Sequence, residues 1–264
     1  MEKENLIFQL EGVSKSFGKN LVLSNFNLKI ERGKIFGIIG PSGVGKTTLL
    51  NLLVGLLKPD SGVIYFIGRR LEKSQALLKK LVAMSPQHYS FYPNLTVEEN
   101  LKFFGKMYGL DNKTLEEKML WLLSQLQLAG YEKNLASTLS VGMQRRLDIA
   151  CTLLADTEVY IFDEPFEGLD PLMREVVIKL IKELHRTSSN IKNPAFLKNL
   201  DTKKKRRTVI ISSHFLKDLE KICDTCILIF NKKIIAQGTI SSLKKKYKKE
   251  SLEEIFKLLV RKEK

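Results

Sequence analysis

Three stretches of the chain are apolar almost without interruption and too short for buried helices: Ile35-Phe36-Gly37-Ile38-Ile39, Val159-Tyr160-Ile161-Phe162 and Val209-Ile210-Ile211. They read as buried strands. Weaker β-type patterns occur at Leu6–Phe8 and from Leu21 to Ile30, separated by the turn-rich Ser14–Asn20, and again at Val63–Gly68, Leu81–Met84, Thr225–Phe230 and Lys233–Gln237. Lys58-Pro59-Asp60-Ser61-Gly62 is a strong turn signal ahead of the Val63 strand. Helical spacing takes over between residues 96 and 137, where Leu101, Phe104, Tyr108, Leu115, Met119, Leu122, Leu123 and Leu126 recur every three to four positions. Thr96 followed by Glu99 predicts a reciprocal cap at the start of this region. Ser140 is a good N-cap for a second helix running through Leu147, Ile149, Ala150, Leu153 and Leu154. The spacing predicts further helices from Leu49, over 171–186, and in a basic tail carrying Leu252, Ile255, Phe256, Leu259 and Val260. The picture is an α/β chain with helices inserted between strands of its sheet.

Composition adds little to that picture and removes several options. At 264 residues the chain holds one large domain or two small ones. No apolar run approaches the roughly 18 residues of a membrane span. Met1-Glu2-Lys3-Glu4-Asn5 lacks the form of a secretory signal, so the protein is expected to remain where it is made. Cys151, Cys223 and Cys226 are too few and too scattered for a disulfide framework. The Cys223-Asp-Thr-Cys226 pair lacks further ligands at zinc-site spacing, which favours a structural role in a reducing cytoplasm. A net charge of +15 suggests a polyanion partner until it is located. Residues 187–207 contribute +6 and residues 241–264 contribute +5, so the basicity belongs to appendages and points to no specific nucleic acid.

The chemistry is concentrated at strand ends. After the Ile35–Ile39 strand comes Gly40-Pro41-Ser42-Gly43-Val44-Gly45-Lys46-Thr47-Thr48, which fills every position of G-x-x-x-x-G-K-[ST] between a strand and a helix. Glycines let backbone N–H groups turn toward phosphate oxygens, and the following helix adds its positive end. Lys46 then reaches the outer phosphates and the Thr47 hydroxyl can ligate Mg2+, so the chain is expected to bind a nucleoside triphosphate. The Val159 strand ends in Asp163 and Glu164; paired acids at the end of a buried strand suit a metal and an attacking water. His214 ends the Val209 strand, and Gln87 ends the short strand after Leu81. Phe17, in the first turn, is a candidate base platform or a piece of satellite core. Ser140, at a small-polar helix start, is a second possible phosphate contact. His88, His185 and Trp121 read as structural.

Together these motifs resemble the ATP-binding cassette (ABC) ATPases, over roughly residues 6–240. A Walker A lies at Gly40–Thr48, a Q-loop at Gln87, a signature at Leu139–Gln144, a Walker B at Val159–Glu164, a D-loop at Glu167–Asp170 and a switch histidine at His214. The resemblance implies a P-loop NTPase fold: a mixed sheet core with an antiparallel β edge and an inserted helical subdomain at about 90–155. It implies an ABC domain over 1–240, with a basic insertion at about 187–207, and a helical tail over 241–264. It also implies a division of labour. Phe17 stacks on adenine; Gly40–Thr48 bind phosphate; Thr47, Gln87 and Asp163 serve Mg2+; Glu164 is general base and His214 holds the γ-phosphate. Ser140 and Gly142 close the site of a second cassette, identical or not, with Asp170 at the contact. The expected assembly is an ATPase subunit of a transporter, seated on transmembrane permease subunits at the inner face of the cell membrane.

Two departures stand out. Val141 and Met143 occupy positions where the family's L-S-G-G-Q motif has a glycine and the glutamine. Met143 ahead of two arginines resembles export-type and drug-resistance cassettes, whereas β-branched Val141 stiffens backbone that should wrap phosphate. The 187–207 insertion reads as a solvated loop, or alternatively as a contact for anionic lipid. A clamp on ribosomes or DNA is the competing function. It usually comes with two cassettes in one chain or a long coiled coil, and neither pattern is present.

Overall fold

A computed structural model of the chain describes residues 5–187 and 206–263. The basic insertion expected at 187–207 lies, apart from its ends, outside the described residues. Strands β1 (Leu6–Phe17), β2 (Asn20–Glu31), β4 (Ser61–Phe66) and β5 (Arg69–Arg70) form an antiparallel sheet in the order β2-β1-β4-β5. A second sheet has the order β10-β9-β3-β8-β7-β6, from β3 (Ile35–Ile39), β6 (Val82–Ser85), β7 (Val159–Asp163), β8 (Thr208–Ser213), β9 (Thr225–Phe230) and β10 (Lys233–Thr239). Its strands run parallel except β10, which returns antiparallel beside β9.

The uninterrupted apolar runs are explained by the two layers that cover this second sheet. Ile35, Ile39, Tyr160, Phe162, Val209 and Ile211 point into one core; Phe36, Ile38, Val159, Ile161 and Ile210 point into the other. Strand periodicity is still two, but both faces are buried, so no polar alternation survives. On one side α1 (Lys46–Leu53) buries Leu49, Leu50, Leu52 and Leu53 against the antiparallel sheet's Ile7, Phe8, Phe26 and Phe66. On the other side lie α3 (Val97–Met107), α4 (Asn112–Gln125), α5 (Val141–Leu153), α6 (Pro171–Arg186) and α7 (Leu216–Ile222). At about 25 cal/mol per Å2 of apolar surface, each fully buried leucine or isoleucine contributes roughly 1.5–3 kcal/mol.

Local signals set the helix ends. Thr96 and Glu99 form the reciprocal cap, Glu99 N–H donating to Thr96 Oγ1 at 3.2 Å and Thr96 N–H to Glu99 Oε2 at 2.8 Å. Asp111 starts α4 by accepting the Thr114 N–H at 3.0 Å.

Three sequence expectations need correction. Strand β1 runs straight through the expected Ser14–Asn20 turn, leaving only Gly18-Lys19 to reverse the chain. Register shifts along β1 absorb Gly12 and the polar residues after it. Leu81 closes a short helix, α2 (Gln75–Leu81), instead of starting a strand; its apolar side chain packs under the sheet in either state, so burial could not tell them apart. The tail is two helices, α8 (Ile240–Tyr247) and α9 (Leu252–Lys262), broken where Lys248 adopts φ 52°. Leu252, Ile255 and Leu259 of α9 join the same core as the inserted helices.

Candidate active site

The turn between β3 and α1 is shaped by backbone that only glycine tolerates well. Gly45 has φ 103°, and a Cβ there would lie 2.9 Å from both Val22 Cγ1 and Leu23 Cδ2. No side chain caps α1, so its first N–H groups are open to an anion. Lys46 folds back over the turn and donates to the carbonyls of Gly40 at 2.8 Å and Pro41 at 3.0 Å. Its side chain is 5% exposed and meets Glu164 Oε1 at 2.9 Å.

Glu164 follows β7 with φ 52°, a conformation that is unfavourable for a side chain with a Cβ. The neighbouring strand holds it there. Glu164 N–H donates to the Ser212 carbonyl at 3.1 Å and to Ser212 Oγ at 3.0 Å. Its second oxygen, Oε2, accepts from His214 N–H at 3.3 Å and lies 3.0 Å from His214 Nδ1. One buried carboxylate therefore bridges the lysine of the phosphate turn and the histidine of β8's end.

Asp163 is fully buried beside it. Ser212 Oγ donates to Oδ1, while Oδ2 has no hydrogen-bond partner. Burial pushes the Asp163 carboxyl above the usual carboxylate range, and the Ser212 hydroxyl pulls it back only in part. A buried, unpartnered carboxylate oxygen is costly by itself and is what a hard cation would satisfy. Thr47 Oγ1 stands nearby, donating to Gln87 Oε1 at 3.2 Å. Gln87 Nε2 donates in turn to Glu167 Oε2 at 3.4 Å. Hydroxyl, amide oxygen and carboxylate form an all-oxygen donor set, so these residues fit Mg2+.

Lys46, Thr47, Gln87, Glu164, Glu167 and His214 line a cleft of about 380 Å3 together with Phe17, Val22, Ser42, Gly43, Gly45 and Thr48, with Asp163 buried behind this wall. Phe17 is half exposed at the end of β1, with its ring on the cleft wall. Gly40, Pro41 and Val44 stand behind the turn; a Cβ on Gly40 would come within 2.8 Å of the Ile229 carbonyl.

Ser140, Gly142 and Asp170 do not line this cleft. Ser140 caps α5, its Oγ accepting the Met143 N–H at 3.4 Å. Gly142 packs on the turn before α6, where a Cβ would sit 2.8 Å from the Gly168 carbonyl. Asp170 caps α6 by accepting the Leu172 and Met173 N–H groups, each at 3.0 Å. Val141 is 61% exposed at the start of α5.

Three features of the site escaped sequence reasoning. Ser212 braces both acids; the signal was a serine pair inside an apolar strand just before His214. Glu167 lines the cleft and touches Gln87. Buried Arg145 of α5 donates to the carbonyls of Pro86 at 3.0 Å and Gln87 at 2.7 Å. Beside it Asp148 accepts from Ser90 N–H at 2.7 Å and Ser90 Oγ at 2.6 Å. No local pattern marks an arginine that acts on a loop some sixty residues away. The three cysteines are buried free thiols, and burial pushes Cys226 up to about 12, leaving it unreactive.

A family model described as "ABC transporter" matches residues 23–167. The chain is 32% identical over 237 residues to the "Linearmycin resistance ATP-binding protein LnrL" of Bacillus subtilis (strain 168), covering 90% of this chain and 70% of that protein. It is likewise 32% identical over 232 residues to the "Nod factor export ATP-binding protein I" of Ralstonia nicotianae, covering 88% and 67%. Against the "Probable multidrug ABC transporter ATP-binding protein YbhF" of Escherichia coli (strain K12) identity is again 32%, over 90% of this chain but 38% of that protein. A solved structure titled "Structure of ATP binding subunit of ABC transporter" superimposes with a TM-score of 0.80 at 26% identity, covering 96% of this chain and 99% of the other.

Proposed function

The chain belongs to the ABC transporter family, and from that premise we propose that it is the ATP-binding and ATP-hydrolysing subunit that powers export through separate transmembrane subunits. The observation that carries this reading is Glu164. One buried carboxylate touches both Lys46, which sits where phosphate would go, and His214, at the end of the adjacent strand.

The roles follow from the positions. Phe17 offers a face to the adenine. The Gly40–Thr48 turn and the open start of α1 bind phosphates, with Lys46 leaving Glu164 to meet the outer ones. Thr47, Gln87 and Asp163 would hold Mg2+, which would supply charge neutralisation for the phosphates. Glu164, released from Lys46, accepts a proton from the attacking water, and His214 steadies Glu164 and the γ-phosphate. Ser140 and Gly142 lie outside their own cleft and present the start of α5 to the nucleotide of a second cassette, identical or not. Asp170 orders the turn at that contact. The inserted helices and the loop after Gln87 face the membrane subunits, placing the protein at the inner face of the membrane. Residues 1–240 form the ATPase unit and 241–264 an appended tail. The names of the similar proteins, for linearmycin resistance, Nod factor export and multidrug transport, support export as the direction. Among the described residues no helix is long and apolar enough to cross a membrane, consistent with a separate permease.

The test is turnover against protein concentration in wild type and Ser140→Ala. Specific activity should rise with concentration as cassettes pair, and Ser140→Ala should lower it although the residue lies outside its own cleft. A rate per chain indifferent to both dilution and Ser140 would refute the paired-site reading.

A further inference from the structure

A second contact network reaches His214 besides that to Glu164. Phe215, the next residue in the chain, lays its ring against the imidazole with centroids 4.1 Å apart and planes 35° from parallel. Over the other face of Phe215 sits the Arg174 guanidinium, 3.9 Å from the ring centroid. Arg174 is fixed at two further points. Its Nε–H donates to the Leu169 carbonyl at 3.0 Å, and its Nη1 lies 3.5 Å from Asp218 Oδ2 on α7. Phe215 N–H donates to Ser213 Oγ at 3.0 Å, which fixes the backbone from which both rings project. The stack is thus histidine, phenylalanine, guanidinium, and it ends on the Glu167–Asp170 turn. The other end of that turn carries Glu167 into the cleft, against Gln87.

We propose that Arg174 and Phe215 are positioning residues for His214, holding its ring toward Glu164 and tying it to the Glu167–Asp170 turn. An imidazole whose side chain is 36% exposed would otherwise turn freely about its side-chain bonds, because its remaining tie is the single Nδ1 contact to Glu164. A planar guanidinium on an aromatic face restrains the ring in a way a lysine ammonium cannot. Because Arg174 also holds the Leu169 carbonyl, a shift of that turn changes where the stack ends and so reaches the imidazole. This inference rests on the role proposed above for His214.

The experiment compares full-length Phe215→Leu, which keeps apolar bulk but loses the ring, and Arg174→Lys, which keeps charge toward Asp218 but loses the planar stack. Phe215→Tyr is the conservative rescue and His214→Ala the control. Phe215→Leu and Arg174→Lys should lower kcat about 5–20-fold, short of the ~100-fold that a misplacement of 1 Å can cost a reacting group. KM for ATP should stay within about twofold, and Phe215→Tyr should restore kcat. The chain has three histidines, so ring resonances of labelled protein are readily assigned by substitution. The His214 ring signals should move in Phe215→Leu as the ring current is lost, while those of His88 and His185 stay in place. Unchanged kcat and an unmoved His214 signal in Phe215→Leu, alongside a dead His214→Ala, would overturn the positioning role alone. A fall in kcat matched by weaker ATP binding and a lower melting temperature would overturn it too, as a structural defect. Wild-type turnover in His214→Ala would instead remove the role of His214 and this inference with it.

Discussion

Replacing Glu164 by glutamine separates the two jobs proposed for its carboxylate. Glu164 Oε1 holds Lys46 Nζ at 2.9 Å, and neither side chain is more than 5% exposed. At an effective dielectric of about 20 the attraction at that distance is roughly 6 kcal/mol, much of it offset by the cost of burying both charges. The relevant quantity is what changes when the carboxylate becomes an amide. A hydrogen bond to a charged group contributes about 1.5–3 kcal/mol net and a neutral one about 1 kcal/mol, so the lysine is held roughly 0.5–2 kcal/mol more loosely. On the role proposed above, ATP takes Lys46 away from residue 164 as it binds. Glu164→Gln should therefore bind a slowly hydrolysed ATP analogue with Mg2+ about 2–30-fold more tightly, while turnover falls about 10²–10⁴-fold with the general base gone. Titration calorimetry with the analogue gives the first quantity and steady-state phosphate release the second. Affinity equal to or weaker than wild type would show that the ion pair does not compete with nucleotide. Turnover near wild type would remove Glu164 as the base.

Other substitutions test neighbouring links. Lys46→Ala should weaken nucleotide binding and also lower the melting temperature of the protein, because Glu164 is left buried without its lysine partner. Arg145→Ala should free the half-buried Pro86 and Gln87 carbonyls, costing about 0.5–1.5 kcal/mol for each hydrogen bond lost, and raise the Mg2+ requirement of turnover by loosening Gln87; an unchanged Mg2+ dependence would sink the link. Hydrogen bonds from Lys102 and Lys133 hold the Glu98 carboxyl down at about 2. Its folded value is depressed, so its stabilisation is present above the ordinary glutamate value of 4.5 and is lost as pH falls toward about 2. The melting-temperature deficit of Glu98→Gln should shrink over that window, and a deficit constant from pH 6 to pH 2 would refute the pairing.

How much was legible in the sequence depends on how local each feature is. The phosphate turn, the acids after β7 and the histidine after β8 are readable because each needs only its neighbours: an apolar strand to end, glycine to turn and a helix to begin. The reciprocal cap at Thr96 is local in the same sense. The antiparallel sheet was read poorly. Its first strand carries Glu11, Ser14, Lys15 and Ser16, and a pattern of polar residues cannot distinguish a turn from a strand that bulges while pairing on both sides. Helix α2 was missed because seven residues give fewer than two turns of periodicity.

The division between what was found and what was missed follows a physical line within the site itself. Residues of types suited to phosphate and metal are legible in the sequence, because that chemistry is satisfied by few residue types. Residues that hold those residues were missed. Ser212 braces Glu164 through its backbone and Asp163 through its side chain, from a strand that joins the acids only when the sheet forms. Arg145 acts on Gln87 through a carbonyl, a group every residue has. A supporting contact of that kind leaves no mark on the sequence near the residue it supports. The strained φ of Glu164 is therefore the more informative signature. An unfavourable backbone at a buried carboxylate requires that something else hold it, and following the hydrogen bonds from that one residue leads to Ser212, Lys46 and His214 in turn.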